Sequence, residues 1–192
     1  MIYAVAMSGV RTSQSDPLRI DAIAAGPTPG LIGLTICPGK HDRHALTGAW
    51  ARDLEADLLA IRDWGATSLV TLIEEHEFEL LKVPDLGARA RGMGLDWHHL
   101  PIRDVSVPDE RFESGWKKSG PLLLARLHKG ERVVVHCRGG LGRSGLVAAR
   151  MLVEMGIAPR DAINRVRAAR RGSIETSEQE RYVLIRMIGC PR

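Results

Sequence analysis

The sequence predicts an α/β fold, with a central, mainly parallel sheet flanked by helices, on three observations. Four short apolar runs, "LIGLTICPG" (31–39), "ATSLVTLI" (66–73), "LDWHHLPI" (95–102) and "RVVVHC" (132–137), are bounded by turn residues and read as strands. Segments of helical periodicity alternate with them, which is the pattern of parallel strands joined by crossover helices. The 192 residues, 44% hydrophobic and 26% charged, are enough for one domain over 1–192 with a substantial core.

Each element has a local reason. Residues 1–30 end in "GPTPG" and read as an extension or hairpin packed on the sheet edge. Between the first two strands, "RDLEADLLAIRDWG" (52–65) places Leu54, Leu58, Ile61 and Leu59 on one face and charges on the other, and Gly65 closes it. The segment from Asp109 to Gly130 is helical, but "SGP" (119–121) interrupts the pattern, so two short helices or a kinked one are expected. "SGLVAARMLVEMG" (144–156) is apolar nearly all round, which suits a buried helix. Pro159 opens another helix in "PRDAINRVRAARRG", and "TSEQERYVLIRMIG" (176–189) forms a last, amphipathic one.

Composition narrows the function classes. No apolar run is long enough to cross a bilayer, and the start "MIYAVAMSGVRTS" has no basic residues ahead of its apolar patch, so it reads as a mature N-terminus. A soluble, cytoplasmic protein is expected. Cys37, Cys137 and Cys190 are an odd count with no CxxC pair, which argues against a disulfide framework or a thiolate zinc site. His98 and His99, adjacent on a strand, point to opposite sides and cannot share one metal, so no metal is expected, and the covalent chemistry read below needs no cofactor. A formal charge of +4 favours anionic partners such as phosphorylated substrates without implying nucleic acid or a membrane.

The chemistry concentrates in "HCRGGLGRSG" (136–145). A strand ends at Cys137, the glycines Gly139, Gly140 and Gly142 let backbone N–H groups turn inward, and Arg143 begins a helix whose N-terminus adds partial positive charge. This is a cradle for a tetrahedral oxyanion. The same field favours a thiolate, so Cys137 is the candidate nucleophile. Arg143 offers a planar fork for two anion oxygens, and Ser144 a hydroxyl donor to the sulfur. Arg138 and Leu141 edge the loop, the first placed to attract acidic residues and the second to touch a substrate side chain. His136 supports the loop backbone and does not act as a general base.

This loop resembles the signature of the cysteine-dependent protein tyrosine phosphatases: His-Cys, five residues, Arg, then Ser or Thr. "GLTICPGKHDRH", "LPIRDVSVPD" and "SIETSEQERY" extend the similarity over roughly residues 31–188, and resemble the small dual-specificity branch that includes the kinase-associated phosphatases. The resemblance implies a protein tyrosine phosphatase-like fold and hydrolysis of phosphotyrosine, with phosphoserine and phosphothreonine, through a phosphocysteine intermediate in phosphorylated protein substrates. It also implies a general acid after the "PI" strand, matched here by Asp104, with Asp109 as the alternative carboxylate.

Several residues carry a second reading. Gln179 matches a water-placing glutamine in related phosphatases, yet Thr176 and Gln179 also form a capping-box pattern. The arginines from Arg160 to Arg171 read chiefly as a solvated helix face. Cys37 reads as core, with a disulfide to Cys137 left open. A phosphate-binding pseudophosphatase, a thiol-redox or sulfur-transfer enzyme and a phosphoinositide or small-molecule phosphatase are the rivals. The absence of an aromatic-bearing loop before the sheet predicts a shallow site.

Overall fold

In a computed structural model of the chain, residues 9–45 and 48–186 are described. Cys190 and the end of the last expected helix lie outside them. A five-stranded sheet carries β1 (Asp21–Ala24), β2 (Leu31–Thr35), β5 (Ala66–Thr71), β6 (Asp96–His99) and β7 (Arg132–His136) in the order β1-β2-β7-β5-β6. The pairs β2/β7, β5/β7 and β5/β6 are parallel, while β1 runs antiparallel to β2 at the edge. The hairpin expected within residues 1–30 is not seen among the described residues: one strand of that segment, β1, pairs with the core strand β2 across the "GPTPG" turn. All four predicted strands form, each one to four residues shorter than its apolar run, because the carboxyl ends peel away into the loops that build the site.

Side chains on β7 show why the sheet is buried on both faces. Val133 and Val135 join one core cluster with Leu146, Met151 and Leu152, and Val134 joins the other with Leu58, Ile61 and Leu86. The first face is covered by α4 (Glu110–His128), α5 (Gly142–Glu154) and α6 (Pro159–Ala169), the second by α1 (Leu54–Asp63) and α3 (Leu86–Gly92). The α1 start is capped by Asp53, whose carboxylate accepts from the Ala56 N–H at 2.8 Å. Its charged face is not wholly solvated: Asp57 is buried and takes a bidentate pair from Arg52 at 2.7 and 2.9 Å.

Two features depart from the sequence reading. The segment after Asp109 is one continuous 19-residue helix with Pro121 inside it, and not two short ones. Proline removes one backbone hydrogen bond, but Phe112, Trp116, Gly120, Leu123 and Leu127 lie on one buried face, and that packing outweighs the loss. The last helix changes pitch: α7 (Ser177–Arg181) is followed by a π-helical turn at Tyr182–Arg186. Three further elements went unread, the six-residue α2 (Glu75–Leu80), α3, and a small hairpin of β3 (His41–Asp42) with β4 (Trp50–Ala51).

Candidate active site

The carboxyl ends of the parallel strands converge where an α/β sheet presents its crevice. Cys137 follows the last residue of β7, is 4% exposed, and its sulfur accepts the Gly140 N–H at 3.2 Å. Ser144 Oγ lies 3.6 Å from the same sulfur, within reach to donate to a thiolate. Gly140 has φ +70, and a Cβ there would run into the Thr35 carbonyl of β2. Only glycine fits that position. Gly142 opens α5, Leu141 precedes it, and Gly139 stands open to solvent.

Arg143, in the first turn of α5, is almost wholly buried and is aimed by its neighbours. Glu77 of α2 holds it bidentately, at 2.6 Å to Nη1 and 2.9 Å to Nη2. The Ile102 carbonyl takes a second Nη1 hydrogen at 3.1 Å, and Asp104 Oδ1 lies 2.9 Å from Nη2. Nε has no hydrogen-bond partner among the described residues. Burial works against the charge of both Glu77 and Arg143. Their mutual hydrogen bonds outweigh it, so the carboxyl is held below and the guanidinium above their ordinary pKa values.

Behind the loop, His136 is fully buried, and burial pushes its pKa down to about 3. Trp97 Nε1 donates to Thr71 Oγ1 at 2.8 Å, which leaves the Thr71 hydroxyl hydrogen for His136 Nε2 at 2.8 Å. Nδ1 then carries the proton and reaches the Cys137 carbonyl at 3.4 Å. The neutral ring thus supports the loop, as its position implied. Cys37 is fully buried beneath it, and burial pushes its thiol well up, which disfavours the thiolate that disulfide exchange requires.

The two carboxylates separate cleanly. Asp104 stands on the loop after Ile102, half-exposed, against Arg143. Asp109 caps α4, accepting from the Phe112 N–H at 2.9 Å, and its place is at the helix start. Gln179 is buried and accepts from the Glu175 N–H at 2.9 Å while donating to the Ser106 carbonyl at 3.1 Å, so its amide ties α7 to the Asp104 loop. Thr176 does cap α7 at the Gln179 N–H, but the reciprocal half of the capping box does not form. Arg138 edges the cavity as its place in the loop implied, with its guanidinium paired to Asp42 at 3.0 and 3.1 Å. Of the arginines from Arg160 onward, Arg170 turns inward to Asp21 at 2.6 Å.

Sequence reasoning missed Glu77 and the walls. Glu77 sits in "IEEHEFELL" directly after a strand end, and that acidic run beside a sheet crevice was the available signal. The walls come from residues 11–21 and the β3–β4 hairpin, which join Cys137 and Arg143 around a cavity of about 710 Å³. The site is therefore walled by segments that the expectation of shallowness left out.

The comparisons agree with this geometry. Residues 44–183 match the family described as PTP-SAK, Swiss Army Knife protein, DSP-PTPase phosphatase domain. Cyclin-dependent kinase inhibitor 3 of Rattus norvegicus is 32% identical over 157 residues, covering 80% of this chain and 69% of that protein. Protein tyrosine phosphatase type IVA 3 of Mus musculus is 35% identical over 86 residues, 44% of this chain and 46% of that one. Among solved structures, kinase-associated phosphatase with its catalytic-site cysteine replaced by serine superposes with a TM-score of 0.77 at 25% identity, over 91% of this chain and 98% of that one. With its cysteine at a strand end, its glycine cradle and its buried arginine, the chain belongs to the PTP-SAK family of cysteine-dependent, dual-specificity protein tyrosine phosphatases.

Proposed function

We propose that this phosphatase hydrolyses phosphotyrosine, and with lower efficiency phosphoserine and phosphothreonine, in phosphorylated protein substrates through a phosphocysteine intermediate. The observation that carries it is the state of Arg143. Glu77 and Ile102 fix the Nη1 side, and the donors left over, Nε and the Nη2 hydrogen held by Asp104, form one edge of the guanidinium. That edge matches two oxygens of a phosphoryl group.

In this reading the phosphoryl group takes the Arg143 edge and the loop amides of residues 138–143, and Asp104 is freed to face the leaving oxygen. Cys137 Sγ attacks phosphorus, the S–P bond forms as the P–O bond breaks, and Asp104 gives its proton to the departing oxygen. Water then attacks phosphorus, Asp104 takes up a proton, and the S–P bond breaks to return the thiolate. Gln179 acts by positioning the Asp104 loop. Cyclin-dependent kinase inhibitor 3 and kinase-associated phosphatase are named for kinases, which supports a phosphoprotein substrate. The absence of a helix long and apolar enough to cross a membrane among the described residues is consistent with cytoplasmic action.

Matched phosphotyrosine and phosphothreonine peptides, compared by kcat/KM, test the breadth. Turnover of both, with phosphotyrosine faster because phenolate is the better leaving group, is expected. Brisk phosphotyrosine turnover with none of phosphothreonine would restrict the assignment to tyrosine, the walls then holding phosphorus too deep for a shorter side chain.

A further inference from the structure

Three adjacent strands, β6, β5 and β7, each put a polar side chain on the sheet face behind the catalytic loop. Leu69 pairs with Trp97 on one side and Val134 on the other, and Thr71, two residues on, pairs with His136, so Trp97, Thr71 and His136 share that face. Their contacts form one line. Trp97 Nε1 reaches Thr71 Oγ1 at 2.8 Å, Thr71 Oγ1 reaches His136 Nε2 at 2.8 Å, and His136 Nδ1 reaches the Cys137 carbonyl at 3.4 Å. It runs from a half-buried indole to the nucleophile.

Helix α3 and β6 seat the indole. Arg91 lies over its ring at 4.8 Å, His99 stacks on it with centroids 5.6 Å apart, and a Cβ at Gly87 would come within 2.6 Å of it. Glycine is a poor helix former, so α3 gives up stability where the indole lies against it.

The donor chemistry gives the line a direction. An indole N–H only donates, and it fills one lone pair of Thr71 Oγ1, which has no third hydrogen-bond partner among the described residues. The hydroxyl hydrogen therefore goes to His136 Nε2, since otherwise it is buried unpaired. A water in the place of the indole accepts as readily as it donates. It can take the Thr71 hydrogen and leave Nε2 to carry the proton.

Resting on the phosphatase reading above, we infer that Trp97 is a positioning residue for the reaction: through Thr71 and His136 it holds the Cys137–Arg138 peptide with its N–H toward the phosphoryl group. In a trans peptide the C=O and N–H point in opposite directions, so a carbonyl held from behind by Nδ1–H turns the Arg138 N–H to the cavity. The bond to the carbonyl also makes that N–H a stronger donor. With the proton on Nε2, the Nδ1 lone pair faces the carbonyl oxygen and repels it.

The test is Trp97→Phe, which keeps a ring between Gly87 and Arg91 and removes the donor. With isotope-labelled histidine, the nitrogen shifts of His136 report its tautomer by NMR. The native protein shows the proton on Nδ1 alone, and Trp97→Phe shows a mixture of the two forms. The dissociation constant of inorganic phosphate, by calorimetry, rises roughly three- to tenfold in the variant, the size of one lost hydrogen bond, and kcat/KM on para-nitrophenyl phosphate falls by a similar factor. Tautomer and dissociation constant are properties of the folded molecules, so a partly unfolded sample does not imitate the effect. Thr71→Val breaks the line at its middle, and adding Trp97→Phe to it weakens phosphate binding no further. Arg91→Met loosens the seat but leaves the N–H, and phosphate binds as in the native protein. A native His136 with its proton on Nε2 overturns the role, as does a Trp97→Phe protein that keeps either the native tautomer or the native phosphate constant. A further loss on adding Trp97→Phe to Thr71→Val, or a loss in Arg91→Met as large as in Trp97→Phe, overturns it too, because the indole then acts by packing. A native protein that binds phosphate but hydrolyses no para-nitrophenyl phosphate overturns the phosphatase reading, and the positioning role falls with it.

Discussion

From His136 to Gly145 every residue except Arg138, Gly139 and Leu141 is buried, whereas Arg103, Asp104 and Val105 are all exposed. The nucleophile loop is fixed from beneath by His136, at its bend by the Gly140 contact with Thr35, and at its arginine by Glu77. The acid loop has two ties to its surroundings, Asp104 to Arg143 and Ser106 to Gln179, and it holds Val105 at φ +57, where a β-branched residue is strained. The difference matches the work that the proposed function assigns to each. An oxyanion cradle gains by being rigid before the substrate arrives, since nothing need reorganise as charge develops. A residue that gives and takes a proton in successive steps must release one partner and meet another, and a lightly held loop allows it.

The largest effect comes from breaking the rigid side at its centre. Cys137→Ser should lower turnover of para-nitrophenyl phosphate by at least about 10⁴-fold, because Cys137 is the one cysteine among the described residues that line the cavity. Phosphate binding, measured by calorimetry, should persist, since the cradle and Arg143 are untouched. Retained turnover would end the covalent mechanism.

On the lightly held side, Asp104→Asn should slow phosphopeptide hydrolysis by about 10²- to 10⁴-fold, and should have far less effect on aryl esters whose leaving group needs no proton. Asp109→Asn is the discriminating partner. It should leave the leaving-group dependence alone and cost at most about 1 kcal/mol in stability, because asparagine also caps helices well. If Asp109→Asn shows the leaving-group pattern and Asp104→Asn does not, the roles are reversed.

Glu77→Gln attacks the support of the rigid loop. It leaves Arg143 buried and short of a counter-charge, which should cost about 3–5 kcal/mol and lower Tm by on the order of 10 °C. Acid behaviour follows from the same group. The folded pKa of Glu77 is held below its ordinary 4.5, so its stabilisation is complete above that pH and is lost as pH falls through the lower folded value. His136 adds a loss of the same sign that begins higher: folded it titrates near 3 against an ordinary 6.5, so below pH 6.5 the unfolded chain takes the proton first. Tm recorded against pH should therefore decline in both proteins between about 6.5 and 4.5, and below that more steeply in the native protein than in Glu77→Gln.

The same contrast explains what could be read from sequence. The nucleophile loop was legible because strand, cysteine, glycines and arginine are consecutive, and local spacing alone builds a cradle. Asp104 and Gln179 were legible only through the resemblance of "LPIRDVSVPD" and "SIETSEQERY" to the phosphatase family, and the bond from Gln179 to Ser106 not at all. The partner of Glu77 was not legible, because Glu77 meets Arg143 from 66 positions away on a six-residue helix too short to show periodicity. The cavity wall failed for a related reason. Residues 11–21 contribute through pairs such as Arg170 with Asp21, and long-range ion pairs leave no pattern along the chain. α4 is one helix and not two because, where a proline rule met a well-packed face, tertiary packing prevailed.

The smallest effect probes the strain in the acid loop. Val105 lines the mouth of the cavity, is 59% exposed, and gives up little burial if truncated. A left-handed conformation costs a β-branched residue about 1–3 kcal/mol, while glycine in the same conformation costs the unfolded chain about 0.5–1 kcal/mol in added freedom. Val105→Gly should therefore raise stability by about 1 kcal/mol, or some 2–4 °C in Tm. Activity should move the other way. With the strain gone, the backbone between Asp104 and Ser106 no longer has one imposed geometry, and the carboxyl is aimed less well at the leaving oxygen, so kcat on phosphopeptides should fall by on the order of a few-fold. A gain in stability with full activity would mean that the Arg143 and Gln179 contacts alone hold Asp104. A loss of stability would mean that Val105 contributes packing that outweighs its strain.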